Sequence, residues 1–77
     1  MRYAIVIEKA KRNFSAYCPD IPGCVATGKT VAETVQQMRD ALQFHLEAMQ
    51  DDGEAIPDPA TLVEYVDVQV PERVEAK

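Results

Sequence analysis

The chain has 77 residues, of which 47% are hydrophobic and 27% are charged, so its length suits one small globular domain. This composition excludes a disordered or low-complexity chain, no apolar run approaches the roughly 18 residues of a membrane span, and no signal peptide is recognisable, so we expect a cytoplasmic protein. Thirteen acidic against eight basic side chains give a net charge of −5, which disfavours nucleic acid and favours a basic macromolecule as partner.

The first part of the chain is predicted to form three short antiparallel strands. Residues 2–8 alternate as a half-buried strand does, and residues 14–18 and 24–28 read as two further strands. One face of the first strand is expected to carry Tyr3, Ile5 and Ile7, and the other face Ala4, Val6 and Glu8. Because the connections are short, each strand is expected to pair antiparallel with the next.

The connection between the second and third strands has the sequence CPDIPGC and is predicted to be an irregular, rigid loop. Pro19, Pro22 and Gly23 interrupt any regular element. The Asp20 carboxylate is expected to accept hydrogen bonds from nearby backbone N–H groups and so to stiffen a local turn.

Two cysteines flank this loop, and in a cytosolic chain they are expected to remain small reduced thiols. Because Cys18 and Cys24 lie at strand ends, a disulfide across the loop is the alternative. Two cysteines and one histidine cannot complete a tetrahedral zinc site alone, so the sequence predicts neither a metal nor another cofactor.

A helix of about twenty residues is predicted to follow the third strand. Thr30 and Glu33 fit a capping box, in which the Thr30 hydroxyl accepts from the Glu33 N–H and the Glu33 carboxylate accepts from the Thr30 N–H. Apolar residues then recur at steps of three and four, namely Val31, Val35, Met38, Leu42, Leu46 and Met49. The helix is expected to end near Asp51, because Gly53 and Pro57 follow.

Residues 62–70 are rich in valine and are predicted to form a final strand after the rigid IPDP segment. The residues in phase on one face of this strand are Leu62, Val66, Val68 and Val70. The element order is therefore βββαβ, and the predicted fold is α+β, with one helix packed on a four-stranded sheet. Residues 1–70 are expected to form the single domain, and residues 71–77 a charged, frayed tail.

One helix covers only one face of the predicted sheet, and the second face is expected to hold Tyr17, Val63 and Tyr65. A sheet face left open in this way is either polar or a contact surface. The sequence therefore predicts either self-association as a dimer or tetramer, which also protects open sheet edges, or binding to a partner.

Three motifs in this order resemble the HicB antitoxin family. They are YCPDIPGC at residues 17–24, TGKT at residues 27–30 followed by Glu33, and IPDP at residues 56–59. The resemblance covers residues 1–70 and implies a partial ribonuclease-H-like fold. It also implies that the chain neutralises a basic, mRNA-cleaving toxin of the HicA type by covering the active face of that toxin.

The segment that follows the last predicted strand departs from the family pattern. Many members carry a C-terminal helix-turn-helix or ribbon-helix-helix module, and the sequence PERVEAK fits neither. Direct binding of this chain to operator DNA is therefore not expected, and neither is association with a membrane.

The motif residues are assigned to architecture, and one aromatic and two acidic residues are assigned to partner binding. The architectural set fixes turns and caps the helix, and it comprises Pro19, Pro22, Gly23, Gly28, Thr30 and Glu33. The candidate partner-binding residues are Tyr17, Asp20 and Glu8. An exposed carboxylate can pair with a toxin lysine or arginine, and tyrosine is a common interface anchor.

Two other functions compete with the antitoxin interpretation. A metal-dependent nuclease needs several carboxylates that converge on two cations, and the candidates are Glu8, Asp40, Glu47, Glu64 and Asp67. The middle of the first strand has no acid and the chain lacks a basic surface for nucleic acid, so we expect no enzyme activity. A stand-alone acidic, oligomeric binding module without a toxin partner is the main alternative.

Overall fold

The computed structural model describes residues 1–72 as three antiparallel strands followed by one long helix. These elements are β1 (Val6–Lys9), β2 (Phe14–Tyr17), β3 (Val25–Gly28) and α1 (Val31–Asp51). The sheet order is β1-β2-β3, so β2 is central, and within residues 1–72 each outer strand has one edge without a partner. Most of the predicted tail, residues 71–77, lies outside the described residues, which include no helix long and apolar enough to cross a membrane.

The strand register confirms the predicted alternation and sorts the side chains onto two faces. Ile7 pairs with Ala16, which pairs with Ala26, and this row lies on the face that packs against α1. Its neighbouring row, formed by Val6, Tyr17 and Val25, points to the opposite face. β1 is shorter than predicted, because residues 2–5 have no ladder partner on β2.

The core lies between the sheet, α1 and the loop that connects β2 to β3. Its buried hydrophobic residues are Ala16, Cys18, Ile21, Cys24 and Met38. The loop itself contributes Ile21, which is only 1% exposed, because two successive turns fold residues 18–24 over the core. Both cysteines are buried free thiols, so the alternative of a disulfide across the loop is not formed. Burial raises the pKa of the Cys24 thiol, which keeps it protonated.

The corner between β3 and α1 brings the backbones of these two elements close together. The Glu33 N–H donates to the Thr30 Oγ1 at 3.0 Å, which confirms the predicted helix cap. The Glu33 carboxylate, however, accepts from the Lys29 N–H at 2.6 Å rather than from the Thr30 N–H. The second hydrogen bond of the predicted capping box therefore comes from the residue before Thr30. A Cβ at Gly28 would lie 2.6 Å from the Thr34 Oγ1, so only glycine allows this approach.

The C-terminal end of α1 is closed by a Schellman motif. Gly53 adopts a φ of 74°, and its N–H donates to the Gln50 carbonyl at 3.1 Å. The Glu54 N–H donates to the Met49 carbonyl at 2.9 Å. The helix therefore ends at Asp51, as the glycine predicts.

The predicted fourth strand is not observed: within residues 1–72, residues 62–70 pair with no strand, and the element order is βββα. Alternating β-branched residues favour an extended backbone, but a strand also needs a partner edge for its hydrogen bonds. We call residues 62–70 the C-terminal arm. Its side chains are solvent-exposed, with Leu62 90% and Tyr65 92% exposed. Tyr65 and Val63 therefore do not lie on the second face of the sheet.

Candidate protein-binding face

The face of the sheet that points away from α1 carries a row of apolar side chains. We call it the open face, and its first row runs across all three strands through Val6, Tyr17 and Val25. Tyr17, at the centre, is 42% exposed, and Val25 is 66% exposed. Sequence reasoning singled out Tyr17 but not Val25, although the alternation of the third strand gives the signal.

A polar row lies directly beside this apolar row. Glu8 on β1 pairs with Ser15 on β2, and Ser15 pairs with Thr27 on β3. Glu8 and Tyr17 are therefore diagonal neighbours on one face, and both are exposed. An aromatic anchor bordered by polar side chains is the usual composition of a protein-binding surface.

Asp20, the third residue predicted to bind a partner, does not lie on this face. Its Oδ2 accepts from the backbone N–H groups of Ala60 at 3.0 Å and Thr61 at 3.1 Å, and its Oδ1 accepts from the Thr61 hydroxyl at 2.9 Å. These hydrogen bonds replace the local turn that the sequence suggested. The Ala60 N–H, followed by the Thr61 hydroxyl, holds the pKa of the Asp20 carboxyl below its ordinary value.

A second hydrogen bond holds the same part of the chain against the N-terminus. The Tyr3 hydroxyl donates to the Pro57 carbonyl at 2.5 Å, and partial burial raises the pKa of Tyr3. We call the contacts of Asp20 and Tyr3 with residues 57–61 the exit clamp. Sequence reasoning missed the clamp because Thr61 lies 41 residues from Asp20 and no local pattern links them.

The remaining motif residues lie in the two regions assigned to architecture. Pro19, Pro22 and Gly23 are exposed in the loop between β2 and β3, and Gly23 has a φ of 84°, which favours glycine. Gly28 and Thr30 lie at the corner between β3 and α1, together with Glu33. Gly23 therefore serves a turn, Gly28 a close approach of two elements, and Thr30 the helix cap, whereas the roles of Pro19 and Pro22 stay predictions.

The acidic residues considered for a nuclease do not converge. Glu8 lies on the open face, whereas Asp40 and Glu47 lie on the exposed side of α1, on the other side of the sheet. Asp40 accepts from the Gln36 amide at 3.0 Å, and Glu47 accepts from the Gln43 amide at 2.8 Å. Within residues 1–72 there is no group of three side chains that could hold a metal ion. This part of the chain offers no two-metal arrangement.

A comparison with protein families gives a match over almost the whole chain. Residues 3–74 match the family described as HicB-like antitoxin of bacterial toxin–antitoxin systems. A chain in the solved structure of a HicA3 and HicB3 toxin–antitoxin complex superposes with a TM-score of 0.67 at 36% sequence identity. That match covers 77% of this chain and 69% of the other.

Further relatives match most of this chain. An uncharacterized 14.9 kDa protein of Haemophilus phage HP1 is 35% identical over 66 residues, which is 86% of this chain. The chain spans about half of that phage protein, since the match covers 50% of it. A UPF0150 protein of Archaeoglobus fulgidus is 34% identical over 59 residues, covering 73% of this chain and 86% of the relative.

Proposed function

Because the chain belongs to the family of HicB-like antitoxins, we propose that it binds and neutralises a small basic toxin of the HicA type. The observation that carries this proposal is its similarity, at 36% identity, to a chain from a HicA3 and HicB3 complex. Neutralisation acts by stoichiometric occlusion of the toxin rather than by turnover. No step of this mechanism requires a cofactor.

The open face is the surface that we assign to the toxin. Tyr17 supplies a central aromatic anchor, Val25 extends the apolar row, and Glu8 adds a carboxylate at its border. The net charge of −5 attracts a basic protein and accelerates encounter with it. Because α1 packs on the opposite side, a toxin can cover this face without displacing the core.

Self-association and a cytoplasmic location are further parts of the proposal. A three-stranded sheet with two open edges favours a dimer or tetramer, because unpaired edges otherwise invite unspecific association. The partial ribonuclease-H-like relationship and the absence of operator binding by this chain remain predictions from the family resemblance.

Growth rescue and co-purification test the antitoxin function. A small basic protein of the HicA type is sought in the neighbouring reading frames and is expressed from an inducible promoter, alone and together with the tagged wild-type chain. We expect the toxin alone to stop growth, and the co-expressed chain to restore growth and to retain the toxin on an affinity column. A wild-type chain that neither restores growth nor retains the toxin contradicts the proposal and favours the stand-alone binding module.

Paired variants test whether the open face makes the contact. Tyr17→Arg is expected to weaken toxin binding by about tenfold or more, as the loss of an interface anchor does. Phe44→Arg is the matched control, because Phe44 is an exposed aromatic residue on α1. Glu8→Lys should also weaken binding, by charge reversal. Equal affinity of the Tyr17 and Phe44 variants would place the contact elsewhere.

A separate variant tests Asp20 as a contact. Asp20→Asn removes the charge while it keeps one side-chain oxygen as an acceptor for the exit clamp. Toxin binding that weakens while the backbone of Ala60 and Thr61 stays hydrogen-bonded would support a direct contact. Unchanged toxin binding would show that Asp20 serves the exit clamp and does not contact the toxin.

A further inference from the structure

The sequence of the C-terminal arm predicts a β-strand, whereas in the structure the arm is an exposed segment. Five of its hydrophobic side chains are 76–92% exposed, and these are Leu62, Tyr65, Val66, Val68 and Val70. Residues 60–70 contain neither proline nor glycine, so nothing in the arm opposes a continuous ladder. An exposed apolar segment of this kind marks a contact surface.

The shape of the molecule shows that the arm leaves the body. The radius of gyration is 16.8 Å, and the longest dimension is 61 Å. A compact chain of this length has a radius of about 11 Å. The exit clamp holds residues 57–61 beside residues 2–4, so the arm starts next to the N-terminal end of β1 but does not pair with that strand.

A matching acceptor exists on the same molecule. The outer edge of β1 is unpaired, and a groove runs between the residues that precede β1 and the helix. Ile5, Val35, Leu42 and Leu46 give this groove an apolar lining, and Arg2 and Arg39 lie in its wall.

The arm and the groove are complementary in pattern and in charge. One face of the arm presents four aliphatic side chains at alternate positions, and that face also carries Glu64. The aliphatic side chains suit the lining of the groove, and the carboxylate suits Arg2 or Arg39. A basic toxin is a poor occupant of the groove, because its charge would meet these two arginines.

We propose that residues 62–70 of one copy add as a fourth strand to the β1 edge of a second copy, with the aliphatic face of the arm in the groove. A second copy carries the same edge and the same arm, so a two-fold arrangement satisfies both arms at once. Each sheet then has four strands, and the exposed aliphatic residues become buried. This inference deepens the proposed self-association and is independent of any toxin.

Sedimentation equilibrium combined with amide hydrogen exchange of the full chain tests the arm exchange. We expect a dimer at high protein concentration, with the amides of residues 62–70 protected at least tenfold more strongly than after dilution to the monomer. A monomer at all concentrations would overturn both self-association and arm exchange. A dimer with unprotected arm amides would overturn arm exchange alone, as would protection that does not depend on concentration, because the arm would then pair within its own chain.

Two adjacent proline variants remove ladder hydrogen bonds without touching the core. In a strand, neighbouring N–H groups point to opposite sides, so one of Val66→Pro and Asp67→Pro must remove a bond to the partner edge in any register. At least one of them is expected to weaken dimerisation tenfold or more, with an unchanged circular dichroism spectrum of the body. Phe44→Asp, on α1, is the control and should remain dimeric. Proline variants that dimerise like the wild type would overturn the proposal.

Discussion

The body of the molecule and its C-terminal arm both contain many hydrophobic residues, but these residues have very different surroundings. In the body, Met38 and Ile21 are almost fully buried, and both ends of α1 are closed by hydrogen bonds. In the arm, Val66 is 80% exposed and has no ladder partner. The comparison teaches that hydrophobic residues stabilise a fold only where the chain brings a second surface to them.

The exit clamp separates these two regions. On its N-terminal side, each element contacts a neighbour; on its C-terminal side, the side chains of the arm are exposed. Three variants and one acid titration can sharpen or break this division, and their expected effects decrease in the order Met38→Ala, Gly28→Ala, acidification and Val66→Ala.

Met38→Ala should cause the largest loss of stability. Met38 is fully buried under the sheet, so truncation removes apolar contacts and leaves a cavity. We expect the free energy of unfolding to fall by about 3 kcal/mol. Urea denaturation measures this change, and Met49→Ala, at a half-buried position in the last turn of α1, is the control with a smaller loss. Equal losses at both positions would contradict the core described here.

Gly28→Ala should rank second. The added methyl group would meet the Thr34 backbone nitrogen at 2.7 Å, so β3 and α1 must move apart. We expect a loss of about 2 kcal/mol, as for overpacking in other cores. Gly23→Ala is the matched control, because its Cβ would meet nothing within 4 Å and only the positive φ opposes it. A larger loss in the Gly23 variant would show that the corner tolerates a side chain.

Acidification should open the exit clamp before it unfolds the body. Hydrogen bonds hold the folded-state pKa of Asp20 below its ordinary value of 3.8, so the clamp stabilises the fold above about pH 4. This stabilisation is lost as the pH falls through the folded-state pKa. The amide resonances of Ala60 and Thr61, followed by NMR during titration, should shift in that range.

Two substitutions separate the Asp20 titration from that of its neighbours. Asp20→Asn should abolish the acid transition of the Thr61 amide, whereas Asp58→Asn, in the same segment, should preserve it. A Thr61 resonance that moves identically in wild type and in the Asp20 variant would assign the transition to another carboxyl group.

Val66→Ala should have the smallest effect on the monomer. The side chain is exposed in the arm, so its removal should change the free energy of unfolding by less than about 0.5 kcal/mol. The measurement requires urea denaturation at a protein concentration too low for self-association. A loss above about 1 kcal/mol under these conditions would show that the arm packs on its own body, and would remove the distinction between the two regions.

Local signals predicted most of the body from the sequence. The helix bounds follow from the hydroxyl of Thr30 and from the glycine at position 53, both of which act on neighbouring backbone groups. In the first two strands, simple alternation separated Glu8 from Ile7 and Tyr17 from Ala16, and the register confirms both separations. Each of these features depends on residues a few positions apart.

Features that depend on distant residues could not be predicted in this way. The role of Asp20 depends on Thr61, which is far away in sequence, and the burial of Ile21 depends on how its loop folds over Met38. The arm shows the same limit most clearly. Valine at alternating positions specifies an extended backbone, but it does not specify which edge the strand will join.

The exit clamp limits how far apart two exchanging bodies can lie. It fixes the chain at Thr61, and residues 62–70 are the docked segment itself, so the β1 edge of the second copy must lie within the roughly 30 Å that nine extended residues reach. After the arm of one copy has docked, the arm of the other copy is held within about 30 Å of the β1 edge that it will join. The second docking step then behaves as an intramolecular reaction at a millimolar effective concentration, so half-exchanged pairs should be scarce.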